Sequence, residues 1–371
     1  MDFSSIYYNK TLNLLKQLCP IPSPSHDEGR RVDFICGYLE KEGIEGFYVD
    51  EAKNVIIPYN DDGKCELDVF AAHTDVVFPD TEELPMRIEG DRLYCPGCGD
   101  DTANVAGLIM YAIHFIKERI KTKRGVLFVC NSCEEGLGNL YGVRTLFENY
   151  KGRISSFTSF DHCLGKGIVN VAVGSERYRI KVKTEGGHSY ANFGNRNAIA
   201  ILSEIITKLY RQTLPDSGKT TYNVGTISGG TSINSIAQEA ECTYEFRSVD
   251  ESALSKMRSS FDSIISSFKA KNNDVTAECI GLRPCSSGEA DTTGMENLAR
   301  TLMEKYGMKY TPGAGSTDCN IPLSLGIKAI CLGLIYVKGS HTREEYVDLK
   351  SFSTGLNLGY DYIYELVSSE M

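Results

Sequence analysis

The sequence predicts an α/β fold that is interrupted by a smaller α+β domain. Apolar strand-like runs alternate with helical periodicity in the first part of the chain, the pattern changes around Ser175, and the α/β pattern returns near the C-terminal end. The chain has 371 residues, more than one hydrophobic core usually supports. We therefore predict a main domain from residues 1–174 and 284–371, with residues 175–283 inserted as a second domain.

The main domain is predicted from helices and strands that follow one another along the chain. Helical spacing comes first, three prolines then mark a loop, and strands and helices alternate after it. Such alternation is typical of a sheet whose faces are covered by helices. The predicted helices are Tyr8–Leu18, Val32–Lys41, Val105–Arg119 and Met295–Tyr306, and the predicted strands are Val55–Pro58, Leu67–Ala72, Val126–Asn131, Ser156–Phe160 and Ala329–Leu334.

The inserted domain begins with a segment of alternating polar and apolar residues, as expected of a half-exposed strand. The elements that follow give the order β-α-β-β-α-β, which is the ferredoxin-like arrangement of a small sheet with helices on one face. The predicted strands are Tyr178–Thr184, Tyr222–Ile227, Ala240–Arg247 and Val275–Ile280, and the predicted helices are Ala198–Leu209 and Leu254–Phe268.

Composition excludes several classes of protein. The net charge is −10 and no basic stripe is visible, so nucleic acid is not expected as a partner. No apolar run is long enough to span a bilayer, and the N-terminus lacks the features of a secretory signal. The 13 cysteines are spread along the chain, as is typical of reduced thiols in a cytosolic protein. We expect a cytoplasmic protein that acts on peptides or other small molecules.

Polar residues follow three apolar runs at the points where strands are predicted to end. His73 and Asp75 follow LDVFAA, Glu134 and Glu135 follow GVLFVCNSC, and Asp161 follows SSFTSF. Ligands of α/β sheets gather at the carboxyl ends of strands. Each of these residues alone is ordinarily a solvated loop residue, but their joint occurrence at one sheet edge favours a functional site.

A further acidic pair, Asp100-Asp101, lies in the glycine-containing loop CPGCGDD before a predicted helix. Alone, such a pair is usually a helix cap. A mixture of imidazole and carboxylate groups suits zinc or a similar divalent ion, and two ions need more ligands than one histidine pair supplies. In His73-Thr-Asp75, the histidine can bind metal while the carboxylate of Asp75 orients the His73 imidazole.

Six motifs then occur in the order seen in the M20 metallopeptidases, and the sequence resembles that family over nearly its whole length. The family includes peptidase T-like tripeptidases, carboxypeptidase G-like enzymes and aminoacylase-like deacylases. The resemblance implies a zinc-peptidase-like α/β catalytic domain with a ferredoxin-like lid and dimerisation domain. The motifs are AAHTDVV, GCGDDTANVAG, CEEGLGNLYG, GGHSYANFGNRNAI, GSTDCN and SHTREEY.

The resemblance implies a centre of two zinc ions per subunit, or of other divalent ions such as Co²⁺ or Mn²⁺. His73 and Asp161 would hold one ion, and Glu135 and His341 would hold the other. Asp100 would bridge the two.

The resemblance also implies the groups that carry the reaction. Glu134 would be the general base that accepts the proton of a zinc-activated water and passes it to the departing amine. Asp75 would orient His73. His188, in the inserted domain, would donate to the developing oxyanion, in many relatives within the site of a neighbouring subunit. A homodimer formed through the inserted domain is therefore expected.

Substrate contacts are carried over from the same resemblance. Asn234 and Arg247 match positions that bind the substrate carboxylate, a group that the planar guanidinium can bind at two points. Ser316 and Thr317 lie in a loop that resembles the cleft-lining turn of the family. Glu345 matches an acid that steadies the C-terminal metal loop.

The sequence departs from the family in two respects. Thr102 follows the Asp-Asp pair where relatives usually carry lysine, which puts substrate preference or rate in doubt rather than metal binding. Two Cys-x-x-Cys pairs, Cys95/Cys98 and Cys130/Cys133, flank the acidic motifs and leave a four-thiolate zinc site or a redox centre as an alternative.

The leading functional hypothesis is a zinc-dependent exopeptidase that cleaves di- or tripeptides. An N-acyl-amino-acid deacylase is the close alternative, because the same water attack cleaves either amide. A hypothesis from another class is a non-catalytic zinc or thiol-binding protein. Retention of both Glu134 and Glu135 argues against it, because binding alone needs no proton shuttle.

Overall fold

The computed structural model describes residues 2–271 and 274–368, and the chain forms two compact units. Unit 1 comprises Met1–Ala172 and Ser287–Met371, and unit 2 comprises Val173–Ser286. Among the described helices, none is both long and apolar enough to cross a membrane.

The first part of unit 1 contains four helices and eight strands within its described residues. The helices are α1 (Phe3–Leu18), α2 (Gly29–Lys41), α3 (Ala103–Glu118) and α4 (Tyr141–Asn149). The strands are β1 (Tyr48–Val49), β2 (Val55–Tyr59), β3 (Leu67–His73), β4 (Arg87–Glu89), β5 (Arg92–Tyr94), β6 (Gly125–Asn131), β7 (Ile154–Ser159) and β8 (Ile168–Ala172). A π-helical turn, Cys98–Thr102, leads directly into α3.

Unit 2 and the return to unit 1 complete the described elements. Unit 2 contains β9 (Gly174–Lys183), β10 (Gly187–His188), α5 (Ala198–Tyr210), β11 (Thr220–Gly229), β12 (Ser235–Ile236), β13 (Glu239–Ser248), α6 (Glu251–Lys269) and β14 (Asp274–Arg283). Unit 1 then continues with α7 (Thr293–Lys305), β15 (Pro312–Gly315), α8 (Asn320–Ser324), β16 (Lys328–Leu332), β17 (Val337–Lys338), β18 (Tyr346–Asp348) and α9 (Leu349–Val367).

The central sheet of unit 1 has eight strands in the described part of the chain, in the order β1-β2-β6-β3-β7-β16-β8-β15. Strand β3 pairs in parallel with both β6 and β7, so these three strands end at the same edge. Every residue of β3 and β6 is buried, which explains their largely apolar sequences.

Helices cover both faces of this sheet, as the alternating pattern predicted. On one face, Phe70 and Phe128 belong to a core that includes almost the whole of α3. On the other, Val69 and Leu127 pack in a second core with residues of α4. A separate antiparallel sheet of unit 1, in the order β17-β18-β5-β4, contacts the π-helical turn.

Unit 2 is built on an antiparallel sheet in the order β11-β13-β9-β14. Helices α5 and α6 pack against it, with side chains such as Leu202 and Phe261 in the same core as Tyr244. The order β9-α5-β11-β13-α6-β14 is the predicted β-α-β-β-α-β arrangement, with the short ribbon β10–β12 added. The ferredoxin-like topology was thus correctly predicted.

Four helices of unit 1 differ most from the prediction: α1 begins earlier than expected, and α4, α8 and α9 were not predicted. Helix α1 begins at Phe3 rather than Tyr8, because the Asp2 side chain accepts the N–H of Ser5 at 3.2 Å and caps the first turn. Helix α9 was not predicted at all. Its sequence is rich in glycine, serine and threonine, so tertiary packing rather than propensity stabilises it.

Candidate metal centre

The carboxyl edge of the central sheet collects the polar residues that follow its strands. His73 is the last residue of β3, Glu134 and Glu135 follow the end of β6 by a few residues, and Asp161 follows the end of β7. Asp100 reaches the same edge from the π-helical turn before α3. The peptide bond between Asp100 and Asp101 is cis.

Potential metal ligands form two groups at this edge, and Asp100 belongs to both. In each group the ligand atoms lie within 4.8 Å of one another: His73, Asp100 and Asp161 in one, and Asp100, Glu135 and His341 in the other. His73 Nε2 is 3.2 Å from Asp100 Oδ1, and His341 Nε2 is 3.3 Å from Asp100 Oδ2 and 3.2 Å from Glu135 Oε1. The structure thus brings the five predicted ligands together.

Glu134 lies at the same place, since its carboxylate groups with His73 and Glu135 within the same 4.8 Å limit. It is buried, at 5% exposure. Among the described residues, the remaining group of this kind, Asp61, Asp62 and Cys65, is in a separate loop.

The His73 imidazole is held so that Nε2 faces the acidic ligands. Its Nδ1 is 3.0 Å from the backbone carbonyl of Asp75 and 3.5 Å from Asp75 Oδ1. A carbonyl oxygen can only accept, so Nδ1 carries the proton and donates. Burial would lower the His73 pKa, but Asp101, Asp100 and Asp75 outweigh it, and the pKa is raised well above its ordinary value.

The Asp75 carboxylate does more than contact His73. Oδ1 accepts the N–H of Glu134 at 2.9 Å, and Oδ2 accepts the N–H of Glu135 at 2.9 Å and the hydroxyl of Ser25 at 2.7 Å. Burial acts to raise the pKa of Asp75, but the contacts with His73 and Ser25 lower it below its usual value. Asp75 is therefore an ionised carboxylate that fixes the backbone of both glutamates.

Several buried acids lie close together at this edge, and this shifts the pKa values of their carboxyl groups. Burial, together with neighbouring carboxylates, raises the pKa of Glu135 to about 7 and that of Asp161 to about 6. Burial also acts to raise the pKa of Asp100, but hydrogen bonds with His341 and His73 lower it overall. Buried carboxylates in such number need a compensating cation. The donor set of imidazoles and carboxylates, sharing one aspartate, fits a pair of divalent ions.

Glu345 supports the turn that carries Asp100. Its buried carboxylate accepts three backbone N–H groups, from Gly97 at 3.0 Å, Gly99 at 2.8 Å and Asp100 at 2.9 Å. From the sequence it was expected to steady the C-terminal loop of His341. Its side chain instead ties the C-terminal segment to the Asp100 turn.

Three further residues at the centre were not among the predicted site residues, although one of them, Asp318, belongs to the loop that was expected to line the cleft. Asn131 ends β6, and its side chain donates to the fully buried Asp318 at 2.7 Å. Burial and the nearby Glu134 raise the pKa of Asp318 well above its ordinary value. The third residue, Arg31 in α2, is completely buried. The sequence signals for the first two were weak: a polar residue closing an apolar strand, and an acid in the predicted cleft-lining turn.

Ser316 and Thr317 immediately precede Asp318. Thr317 is buried, its N–H donates to Asn320 Oδ1 at 2.9 Å, and its hydroxyl accepts the N–H of Cys319 at 3.2 Å. Thr317 thus shapes the turn before α8, and the turn brings Asp318 to the metal centre.

The predicted substrate contacts of unit 2 fall in two places. His188 and Asn234 are neighbours, since β10 pairs with β12 and the N–H of Ser189 donates to the carbonyl of Asn234 at 2.9 Å. Arg247 lies in β13, where its Nε and Nη2 donate to the two oxygens of Glu245 at 3.0 and 3.1 Å. This ion pair occupies much of the guanidinium that was expected to bind substrate.

The cysteine pairs do not form a thiolate site. All 13 cysteines are described, and all are free. No group of potential metal ligands among the described residues contains any member of the two pairs. Their thiols contact different acceptors: Cys95 the carbonyl of Cys19, Cys98 that of Leu93, and Cys133 the carboxylate of Glu28, while Cys130 is buried in β6. The four-thiolate alternative is therefore wrong.

Comparison with known proteins gives consistent matches. The sequence model of peptidase family M20/M25/M40 matches residues 69–365. A succinyl-diaminopimelate desuccinylase of Blochmanniella floridana is 25% identical over 377 residues, covering 93% of this chain and 96% of the relative.

Solved structures share the fold. A tripeptidase of Staphylococcus aureus superposes with a TM-score of 0.77 at 20% identity, covering 96% of this chain and 98% of that one. A dinuclear metal-binding peptidase of the M20 family from Bacillus subtilis superposes with a TM-score of 0.63 at 17% identity, covering 97% and 98% of the two chains.

Proposed function

The chain belongs to peptidase family M20/M25/M40, a family of metal-dependent hydrolases, and on that premise we propose that it is a two-zinc exopeptidase cleaving di- or tripeptides. The observation that carries the proposal is the pair of ligand groups that share Asp100, with Glu134 beside them. The solved tripeptidase that shares the fold supports this substrate class.

In this proposal His73 and Asp161 would hold one ion, Glu135 and His341 would hold the other, and Asp100, which belongs to both ligand groups, would be shared between them. The separate contacts of Asp100 Oδ1 with His73 and of Oδ2 with His341 support the bridging role. When bound, the ions would polarise the amide carbonyl and lower the pKa of water at the site. Zinc suits these ligands, and Co²⁺ or Mn²⁺ suit them too.

Glu134 is proposed as the general base. Its buried carboxylate lies beside the ligands. Its backbone N–H donates to Asp75, which fixes the position of the backbone from which the side chain extends. It would take the proton of the attacking water and give it to the departing amine. Asp75 would serve the reaction indirectly, by fixing Glu134, Glu135 and the imidazole of His73.

His188 is proposed as the donor to the developing oxyanion. Its Nδ1 accepts the backbone N–H groups of Tyr190 at 3.2 Å and Ala191 at 3.3 Å. The proton of the neutral imidazole must then sit on Nε2, which is left as a donor. This tautomer suits the stabilisation of negative charge. Asn234, Arg247, Ser316 and Thr317 are proposed as substrate contacts, with Arg247 exchanging Glu245 for the substrate carboxylate.

We further propose a homodimer formed through unit 2. Strand β11 is one of the two edge strands of the described sheet, and it exposes Ile227. Tyr190, Phe193 and Ile233 are also exposed on this unit. Unpaired strand edges and apolar side chains of this kind favour association. Sedimentation velocity tests the proposal, and a monomer over the whole accessible concentration range would refute it.

A cytoplasmic location is proposed because none of the 13 thiols, all of them in the described residues, is in a disulfide.

The alternative substrate class is that of an N-acyl-amino-acid deacylase, and the similarity to a succinyl-diaminopimelate desuccinylase favours it. Hydrolysis of di- and tripeptides and of N-acetyl and N-succinyl amino acids by the zinc-loaded protein separates the two. Cleavage confined to the acylated amino acids would refute the peptidase proposal.

Glu134→Gln tests the mechanism. The variant should keep two ions per chain, while turnover falls by roughly 10²-fold or more, the usual scale for loss of a general base. Glu135→Gln is the matched control, because it removes a proposed ligand and should lower zinc content. Near-normal turnover in Glu134→Gln would remove Glu134 from the role of base.

A further inference from the structure

Arg31, in α2, is completely buried beside the segments that carry His73 and Asp100. Its Nη1 donates to the carbonyl of Thr74 at 2.8 Å and to the hydroxyl of Thr102 at 3.1 Å, and Nη2 donates to the carbonyl of Ile21 at 2.8 Å. None of the ion pairs formed by described residues includes it. A fully buried guanidinium without a carboxylate partner is uncommon, because desolvating a charge costs several kcal/mol.

The two acceptors of Nη1 lie next to proposed metal ligands. Thr74 directly follows His73, the last residue of β3, and Thr102 is two residues after Asp100 at the end of the π-helical turn. One nitrogen therefore joins the two segments whose ligand atoms, His73 Nε2 and Asp100 Oδ1, lie 3.2 Å apart. The Thr102 hydroxyl in turn donates to the carbonyl of Gly97 at 2.6 Å, so the same connection reaches the start of the turn.

The charge of Arg31 also interacts with a buried carboxylate at the metal centre, that of Asp75. Burial lowers the pKa of Arg31, and the thiols of Cys19 and Cys95 and the carboxylate of Asp75 act against this. Arginine remains charged even so. Asp75 is itself fully buried, so the positive charge of Arg31 stabilises its ionised carboxylate.

From these contacts we infer that Arg31 is a positioning residue of the metal centre. Its guanidinium holds the His73 and Asp100 segments at ligand spacing, and its charge stabilises the buried carboxylate of Asp75. The inference rests on the proposed function, because it assumes that these residues bind metal. Arg31 itself contacts neither substrate nor reacting atoms, since its donors bind the protein groups of Thr74, Thr102 and Ile21.

The test compares Arg31→Met with Arg30→Met. Methionine keeps much of the length of the side chain and removes its charge and donors. Arg30 is the adjacent arginine of the same helix, but it is exposed, and its Nη1 donates to the carbonyl of Thr81 at 2.7 Å. Zinc dissociation constants would be measured by competition with a chromophoric chelator, and the Co²⁺ absorption spectrum would report ligand geometry.

Arg31→Met should bind zinc at least tenfold more weakly than the wild type, since outer partners of metal ligands typically contribute 10- to 100-fold in affinity. Its Co²⁺ spectrum should change as well. Arg30→Met should keep both properties. Arg31→Lys retains the charge but cannot reproduce the planar array of donors, so its affinity should lie between those of the wild type and Arg31→Met.

Wild-type affinity and an unchanged Co²⁺ spectrum in Arg31→Met would overturn the inference, even if the variant were less stable. Should Arg31→Met fail to fold, Arg31→Lys decides by the same two measurements. A wild-type protein that binds fewer than two ions would instead refute the proposed function, so the two failures are distinguishable.

Discussion

Glu345→Gln is the substitution that most directly tests how the Asp100 turn is held. In the wild type Oε1 accepts the N–H groups of Gly99 and Asp100, and Oε2 accepts that of Gly97. A glutamine can place its single oxygen at the Oε1 position, but its NH₂ group then faces the N–H of Gly97. One buried donor is left unsatisfied, while the other two keep an oxygen acceptor.

The magnitude follows from these three bonds. An unsatisfied buried donor costs about 1–3 kcal/mol. Burial and the nearby Asp100 raise the pKa of the Glu345 carboxyl to about 7, so loss of its charge adds no further cost near neutral pH. We expect the free energy of unfolding to fall by about 1–3 kcal/mol, and zinc to bind about 10- to 100-fold more weakly because Asp100 is less well positioned.

Urea unfolding followed by far-UV circular dichroism measures the first effect, and chelator competition measures the second. Glu344→Gln is the matched control, since Glu344 is exposed and pairs with Arg87 at the surface, where such pairs contribute at most about 1 kcal/mol. Equal zinc affinity in the Glu345→Gln variant and the wild type would refute the assignment of Glu345 to the support of Asp100.

Two other predictions concern stability away from the metal centre. His114 contacts the hydroxyl of Tyr7 at 3.2 Å, and burial lowers its pKa. Below about pH 6.5 the unfolded chain therefore binds a proton at this histidine more readily than the folded chain does. The free energy of unfolding should therefore fall as the pH drops from about 7 to 5, and His114→Gln should remove up to about 1.4 kcal/mol per pH unit of that slope; identical slopes would contradict this. Gly355→Ala should destabilise the protein by about 3 kcal/mol, because its Cβ would meet the carbonyl oxygen of Leu334 at 1.4 Å. Gly294→Ala, in α7 with open space around it, should be neutral or stabilising in the same unfolding assay, and equal effects of the two substitutions would refute the packing argument.

The buried strands of unit 1 were the easiest elements to predict. Strand β3 was expected at Leu67–Ala72, and in the structure it extends to His73. The prediction succeeded because a strand that is buried on both faces has a largely apolar sequence. The position of His73 at the end of that run is also what marked it as a candidate ligand. Strand ends and histidines can be identified locally, without knowledge of what they face.

Helix α9 illustrates what local sequence does not reveal. Two glycines of this helix pack closely, Gly355 against Leu334 and Gly359 against Tyr111. Glycine lowers helix propensity, so the feature that permits this packing also conceals the helix. Its stability arises from contacts with segments that are distant in sequence.

The supporting contacts of the centre were hidden for a similar reason. Glu345 binds the N–H of Gly99 across a sequence separation of 246 residues, and Arg31 reaches Thr102 across 71. Both partners lie in the GCGDDTANVAG motif, but a backbone amide and a threonine hydroxyl give no local indication of the distant residue that contacts them. Such contacts become apparent only once the fold is known.

The strands through which the chain enters and leaves unit 2 are hydrogen-bonded neighbours. Strand β9 pairs with β14, and Ser175 lies opposite Arg283. The two ends of the insertion are therefore separated by no more than the width of one strand pair, about 5 Å. Insertions with adjacent ends can be exchanged, enlarged or shortened while the host keeps its connectivity. Unit 2 can in this sense be replaced or altered, by evolution or by engineering, while the unit that carries the candidate metal ligands keeps its own chain connections.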